Sequence, residues 1–271
     1  MTVATSLATP ADPETGLIAW AERGLIPDVA LRSGIRRLCA QRLQEESAGG
    51  IEAQSARFNQ CLEQLAGSPV ALHVDAANRQ HYEIPAAFFQ ACLGKRLKYS
   101  SCYYPSGRET LDEAEVAMLE LYGERASLAD GQHILELGCG WGSLTLWMAE
   151  RFPGARITAV SNSHSQRQHI LEQCRLLGLG NVEVITCDVN RLELPAGRFD
   201  RCVSVEMFEH VRNHAQLMSR IAQWLKPDGA LFVHIFAHRT LMYPFETEGG
   251  DNWMGRHFFT GGLKCRPIQL S

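Results

Sequence analysis

The segment HILELGCGWGS, residues 133–143, constrains this chain more than any other. An apolar run of strand length meets three glycines in five residues and then a helix-forming stretch. A strand turns into a helix over so few residues only if the backbone enters conformations that side chains resist, and glycine supplies them. The reading is a strand over 133–138, a tight turn, and a helix from about 142 to 151. Four more apolar runs follow at strand length: 155–161, 182–186, 198–206 and 230–236. Helical segments are expected between them, over 164–177 and 213–225, and Lys226-Pro227-Asp228-Gly229 reads as a tight turn. Strands alternating with helices predict an α/β fold with a parallel sheet and right-handed crossovers. Ligands in such sheets bind beyond the carboxyl ends of the strands, so chemistry is sought just after each strand.

The rest of the composition fits a globular enzyme-sized chain. It has 271 residues, 45% of them hydrophobic and 21% charged, which excludes wholesale disorder and collagen-like repeats. The net charge of -4 gives no footing for general nucleic-acid binding. No apolar run reaches the ~20 residues that span a bilayer, so stable membrane insertion is not expected. The first 16 residues lack a basic start and an apolar stretch, so no secretory signal is expected. Nine cysteines, none in C-x-x-C spacing, read as reduced and mostly buried thiols in a cytoplasmic protein rather than as a zinc site or disulfide framework.

Four regions are expected: a flexible tail over 1–13, a helical N-terminal extension and cover over 14–110, the α/β domain over 111–240, and the start of a substrate cover over 241–271. Leu31, Ile35, Leu38, Cys39 and Leu43 share one helix face, and Arg32, Arg36, Arg37 and Arg42 take much of the other as a solvated surface. A second helix is expected over 51–66, closed by Gly67-Ser68-Pro69. A short one should begin at Pro85 and end near Gly94.

Two centres carry chemistry. Gly138, Gly140 and Gly142 let the backbone pass close to a ligand at a helix start. A dinucleotide fingerprint needs a further glycine where Ser143 stands. Glu136, two residues before the first glycine, suits a cationic ligand better than a pyrophosphate. The second centre is Glu206-Met207-Phe208-Glu209-His210, leaving the fourth strand. Burial raises a carboxyl pKa and lowers that of histidine, so these groups can be poised for proton transfer. A metal site lacks a convincing ligand spacing here, and a plain surface loop is the other reading. His234 and His238 stand four apart without forming an evident metal pair, and Trp141 and Trp147 read as packing residues.

ELGCGWGS (136–143) resembles motif I of the class I S-adenosylmethionine-dependent methyltransferases. HYEIPAAFFQACLGKRLKYSSCYYP (81–105), SNSHSQ (161–166), SVEMFEHVRN (204–213), FFTGG (258–262) and PDVALRSGIRRLCAQRL (27–43) resemble the cyclopropane-fatty-acid-synthase and coclaurine N-methyltransferase superfamily. The likeness runs from about residue 27 to 262. It implies a Rossmann-like sheet with S-adenosylmethionine (SAM) as cofactor and no metal. Gly138 and Gly140 would face the methionine part of SAM, with Glu136 nearby and Tyr99 and Ser100 over it. Ser161, Asn162 and Gln166 would lie near the ribose, and Asp188 and Val189 near the adenine. Asp188 can serve an exocyclic amine or simply form a turn. The resemblance makes Glu209 and His210 the catalytic pair, with Glu206 in support. The lipid branch usually carries Gly where Glu206 stands and Tyr-Ser-Cys where Tyr99-Ser100-Ser101 stands. The implied reaction is therefore N-methylation of a small amine, with Tyr99, Tyr103, Phe208 and Phe259 as aromatic candidates to flank the cation. The alternatives are modification of unsaturated lipid chains and a non-catalytic SAM-binding fragment.

The chain also departs from that superfamily. Its members continue past the position of Gly262 with a helical cover and two more strands. Here those strands are expected to be missing, which would leave the fifth strand at an edge, with Phe232 and Ile235 poorly covered and self-association through that edge. The end, LKCRPIQLS, replaces the superfamily's Gly-Gly-x-Met-Pro-Ser. The codons AAA TGC CGT CCG ATT for residues 264–268 give Met-Pro-Ser-Asp when read from the last base of the first. A frameshifted end over 264–271 is expected, and the nucleotide sequence checks it: codons unable to give that reading exclude it.

Overall fold

Pairing of β1 (His133–Leu137) with β2 (Arg156–Ser161) on one side and β4 (Phe199–Val205) on the other sets the centre of the sheet. The computed structural model describes residues 17–72, 84–248 and 252–266. The expected tail over 1–13 and the end of the expected frameshifted segment lie outside these. Adding β3 (Val182–Thr186) and β5 (Leu225–His234) gives a parallel sheet of order β3-β2-β1-β4-β5. The chain runs outward from β1 to β3, then returns to β4 and β5. The strand order therefore reverses between β1 and β4, and the ligand crevice of such a sheet opens at their carboxyl ends.

The helices, in chain order, are α1 (Leu17–Glu22), α2 (Asp28–Ser47), α3 (Gly50–Ala66), α4 (Ala86–Cys92), α5 (Leu111–Arg125), α6 (Ser143–Arg151), α7 (His164–Leu177), α8 (His214–Trp224) and the single turn α9 (Trp253–His257). Two compact units divide within α3, one ending at Gln54 and one beginning at Ser55. In the first, α2 buries no residue, and Arg32 and Arg42 form surface ion pairs with Asp28 and with Glu45 and Glu46.

In the second unit the strand alternation separates two apolar layers. Ile134 and Val203 pack with Leu119, Tyr122, Trp147 and Met148. Leu135, Leu137 and Cys202 pack on the opposite face with Leu217, Ile221 and Trp224. The first layer closes because Gly123 lets α5 approach α6: a Cβ there would come within 2.7 Å of the Trp147 ring. The strand and helix spans read from the sequence recur with shifts at their ends. One difference is structural. Lys226-Pro227-Asp228-Gly229 is not a turn before the last strand but an irregularity within β5, because Leu225 already pairs with Phe199 before Ala230 pairs with Arg201.

The outer edge of β5 has no partner strand among the described residues. Its side chains are nevertheless better covered than the sequence suggested. Phe232 packs against Tyr122 at 5.7 Å, and Ile235 joins the apolar clusters containing Phe208 and Cys61. Just past β5, the chain end bridges back: Ala237 pairs with Cys265, and β6 (Tyr243–Pro244) pairs with β7 (Leu263–Lys264). This return brings Leu263 and Cys265 against Cys61 and Leu65 of α3.

One buried carboxylate holds the segment before α5 in place. Glu115, fully buried on α5, accepts the amides of Gly94, Arg96 and Lys98 at 2.9, 2.8 and 3.1 Å. Asp112, one turn earlier, accepts the Lys95 amide at 2.9 Å. Gly94 is required there, since a Cβ would meet the Glu115 carboxylate at 2.6 Å. The helix itself starts at a capping box between Thr110 and Glu113. Removing Glu115 leaves three amides without partners in a closed interior. Glu115→Ala is expected to destabilise the protein by about 3 kcal/mol or more, because charge-assisted hydrogen bonds are lost and buried donors orphaned; urea unfolding measures it.

Candidate active site

The crevice between β1 and β4 opens into a cavity of about 600 Å³. Three pieces of chain supply most of its lining: the segment before α5, the glycine turn after β1 with the end of β2, and the turn after β4 with the end of β5; Tyr122 of α5, Val189 after β3 and Phe259 complete it with others.

The glycine turn is built for close approach. Gly138, Gly140 and Gly142 all have positive φ, at 81°, 53° and 85°. Gly138 and Cys139 both donate to the Val160 carbonyl of β2 at 3.0 Å, which pins the turn to the sheet. A Cβ on Gly138 would lie 2.8 Å from Met207, and one on Gly142 would lie 2.6 Å from Ile170. Glu136 stands under this turn, 4% exposed. Its carboxylate accepts the Thr145 hydroxyl from the first turn of α6, and burial raises its pKa to about 8. Two more polar atoms of the turn, Trp141 Nε1 and Ser143 Oγ, are buried without a hydrogen-bond partner. No room for a β-carbon at Gly138 or Gly142, a buried carboxyl whose ionised form a ligand's cation would favour, and the unpartnered Trp141 Nε1 and Ser143 Oγ together fit a ligand carrying both a cation and acceptor atoms.

Tyr99 and Ser100 face this turn. Tyr99 meets Phe89 edge-on at 5.1 Å, and Phe89 packs on Trp141 at 5.4 Å. Lys98, only 4% exposed, donates its ammonium to the Ser100 carbonyl at 2.6 Å and to the Tyr122 hydroxyl at 3.1 Å. Burial lowers its pKa to about 8. At the end of β2, Ser161 Oγ donates to Gln166 Oε1 at 2.6 Å and accepts the Ser163 amide at 3.0 Å. Ser161, Asn162, Gln166 and Val189 all line the cavity.

The turn after β4 is strained. Glu206 has φ +52°, the left-handed region that a side chain resists, and it meets the cavity with Met207, Glu209 and His210. Glu209, in a single 3-10 turn over Phe208–His210, is 1% exposed. One oxygen accepts the Phe236 amide at 3.0 Å; the other, Oε2, is buried without a hydrogen-bond partner. Burial, and next the charge of Glu206, push its pKa well above the carboxylate range. The His210 ring stacks on Phe259 at 5.7 Å, and Phe259 in turn stacks on Phe245 at 5.0 Å.

The structure therefore gathers Tyr99, Ser100, Glu136, Gly138, Gly140, Ser161, Asn162, Gln166, Val189, Glu206, Glu209 and His210 around one cavity. Asp188 is not in its lining. Its Oδ1 accepts the amide and side-chain nitrogen of Asn190 at 2.9 and 3.0 Å, the turn-forming alternative. Of the four aromatic candidates, Tyr99 and Phe259 line the cavity. Phe208 is buried in the core, and Tyr103 lies in a separate shallow depression. Trp141 lines the cavity as well as packing. Lys98, Tyr122 and His234 were not read as site residues. Only the strand-end position of His234 could have signalled it. His238 serves elsewhere, its Nδ1 accepting the Thr240 and Leu241 amides. Among the described residues no cluster of metal-ligating side chains occurs.

A Rossmann-like sheet with a glycine turn after β1 and acids after β4 defines a class I methyltransferase site. Comparison with known proteins agrees. The family model for mycolic acid cyclopropane synthetase matches residues 72–269. The (S)-coclaurine N-methyltransferase of Thalictrum flavum subsp. glaucum is 39% identical over 246 residues, 91% of this chain and 68% of that protein. The pavine N-methyltransferase of the same plant is 37% identical over 91% of this chain and 69% of that one. A crystal structure of coclaurine N-methyltransferase bound to N-methylheliamine and S-adenosylhomocysteine (SAH) superposes with TM-score 0.86 at 38% identity, covering 91% of this chain and 72% of that one. The chain belongs to the mycolic acid cyclopropane synthetase family and is a SAM-dependent methyltransferase.

The raised pKa of Glu136 has a measurable consequence. A carboxyl whose pKa is higher in the folded than in the unfolded state loses stability as pH rises from the unfolded value to the folded one, here from about 4.5 to about 8. The loss is on the order of 5 kcal/mol. Glu136→Gln is expected to flatten the stability profile over that window, measured by urea unfolding at a series of pH values.

Proposed function

We propose that this enzyme methylates the nitrogen of a small amine, with Glu209 and His210 receiving the amine's proton and Glu206 attracting its positive charge. The observation that carries this reading is Glu206 itself: an acid held in a strained left-handed turn, facing the cavity beside a buried carboxyl whose Oε2 lacks a partner. Strain of that kind persists where the surroundings enforce it. The names of the relatives, coclaurine and pavine N-methyltransferases, point the same way.

Gly138, Gly140, Glu136, Tyr99 and Ser100 would hold the amino-acid part of SAM. Ser161, Asn162 and Gln166 would hold its ribose, and Val189 its adenine, with Asp188 shaping the adenine end through its turn. When bound, SAM supplies an electrophilic sulfonium methyl. The protein's own work is to orient the acceptor and remove its proton, since an ammonium has no lone pair to offer. Glu209, with its raised pKa, suits that exchange near neutrality. Tyr99 and Phe259 flank the cation with ring faces. The cysteine pattern favours a cytoplasmic location, and the outer edge of β5, without a partner strand among the described residues, favours self-association there.

The test uses labelled SAM with (S)-coclaurine. N-methyl product is expected. Glu209→Gln should lower kcat by about 100-fold, the scale of general-base catalysis, with SAH affinity preserved in calorimetry. The rise of kcat/KM with pH should also vanish in that variant. SAH binding without transfer to any secondary amine, combined with turnover of unsaturated phospholipid, would overturn the amine reading.

A further inference from the structure

His234 stands at the carboxyl end of β5, in register with Val205 of β4, and the proposed mechanism leaves it unused. Its carbonyl accepts the Glu206 amide at 2.7 Å, the bond that seats Glu206 in its strained conformation. Its ring Nε2 lies 3.5 Å from Glu206 Oε1 and 3.5 Å from Ser101 Oγ. Tyr122 meets the ring edge-on at 5.3 Å, which fixes its plane.

These groups form a gradient of exposure. The Glu209 side chain is sealed, at 1% exposed. The Glu206 and His234 side chains are 22% and 25% exposed. Ser101 is at the surface. A proton left on a buried acid must reach water before the next turnover, and a sealed carboxyl cannot hand it over directly. The line from Glu209 past Glu206 to His234 leads outward, and one imidazole nitrogen faces both the acid and the surface hydroxyl.

We propose that His234 is the positioning and relay residue of the site: it seats Glu206 and carries the acceptor's proton from the acid pair to water at Ser101. The step balances without a co-reactant. The ammonium N–H bond breaks as the Glu209 O–H forms. That O–H breaks as a Glu206 O–H forms, which breaks in turn as the His234 N–H forms, and the imidazolium releases its proton to solvent. This inference rests on the amine reading above.

The charges around the ring suit the role. Burial, the largest influence, disfavours the imidazolium, and Lys98 from the segment before α5 and Arg125 from α5 act in the same sense; only Glu206 favours it. The pKa of His234 is therefore lowered, and the ring is neutral and ready to accept near neutral pH.

Two measurements test the proposal. In the first, His234→Ala and His234→Asn are assayed with SAM and (S)-coclaurine, with SAH affinity measured by calorimetry. SAH affinity should stay within about threefold, while kcat at neutral pH falls about tenfold or more, within the range of proton-transfer catalysis. Added imidazole should restore the alanine variant in proportion to its concentration. The asparagine variant, which keeps a hydrogen bond but takes no proton at this pH, should remain slow. A kcat within twofold of the wild type overturns the proposal, as does a loss that imidazole leaves unchanged and that is equally deep at every pH.

The second measurement needs no turnover. The His234 ring is titrated by NMR in the wild type and in Glu206→Gln. Loss of the Glu206 charge should lower the His234 pKa further. An unchanged value overturns the pairing even if the wild type leaves (S)-coclaurine untouched, an outcome that would count against the amine reading alone.

Discussion

Gly138 and Met207 touch, and the site depends on that contact. The turn after β1 and the turn after β4 each line part of the cavity, and they meet where the strand order reverses. A Cβ on Gly138 would press into Met207 at 2.8 Å, so any larger residue would force the two turns apart. The two hydrogen bonds from Gly138 and Cys139 to Val160 fix the first turn to β2. The amide of Glu206 bonded to His234 fixes the second to β5. Each turn is thus anchored to the strand next to its own on the outer side, and the cavity between them inherits the rigidity of a parallel sheet.

The site is also an arrangement of buried charge. Glu136, Glu209 and Lys98 all have pKa values moved towards neutrality, in each case chiefly by burial. Isolated ions in such an interior are costly, and shifted protonation is how a protein avoids the cost. Lys98 keeps its hydrogen bonds to Ser100 and Tyr122 whether or not it stays charged, so it can order the segment over the cavity. Glu115 orders the same segment from below through three amides. One carboxylate and one ammonium, both buried, therefore hold the Tyr99-Ser100 pair against the glycine turn.

The family likeness and the physical reading converge on different grounds. The family model and the N-methyltransferase relatives define a SAM-dependent methyltransferase. The geometry is what singles out Glu206 for its proposed role. At φ +52° a glycine would rest easily, and the acid is kept there at the expense of backbone strain. A residue that resists its own backbone conformation is a stronger sign of function than an acid in a relaxed turn.

The sequence by itself determined the sheet, its alternating helices and the two turns that line the cavity. Those features depend on local patterns: apolar runs of strand length, and glycines where φ must be positive. Twelve of the thirteen residues that the family resemblance singled out line the cavity; those just after parallel strands do so because such strands share one end of the sheet. The tertiary structure decided the rest. It turned Asp188 towards Asn190, sent Phe208 into the core, and brought Lys98, Tyr122 and His234 to the cavity. It also covered Phe232 and Ile235 with packing from α5 and the returning chain end. Which side of a strand end faces a cavity is set by register against neighbours far away in the chain, and no local pattern records that distance.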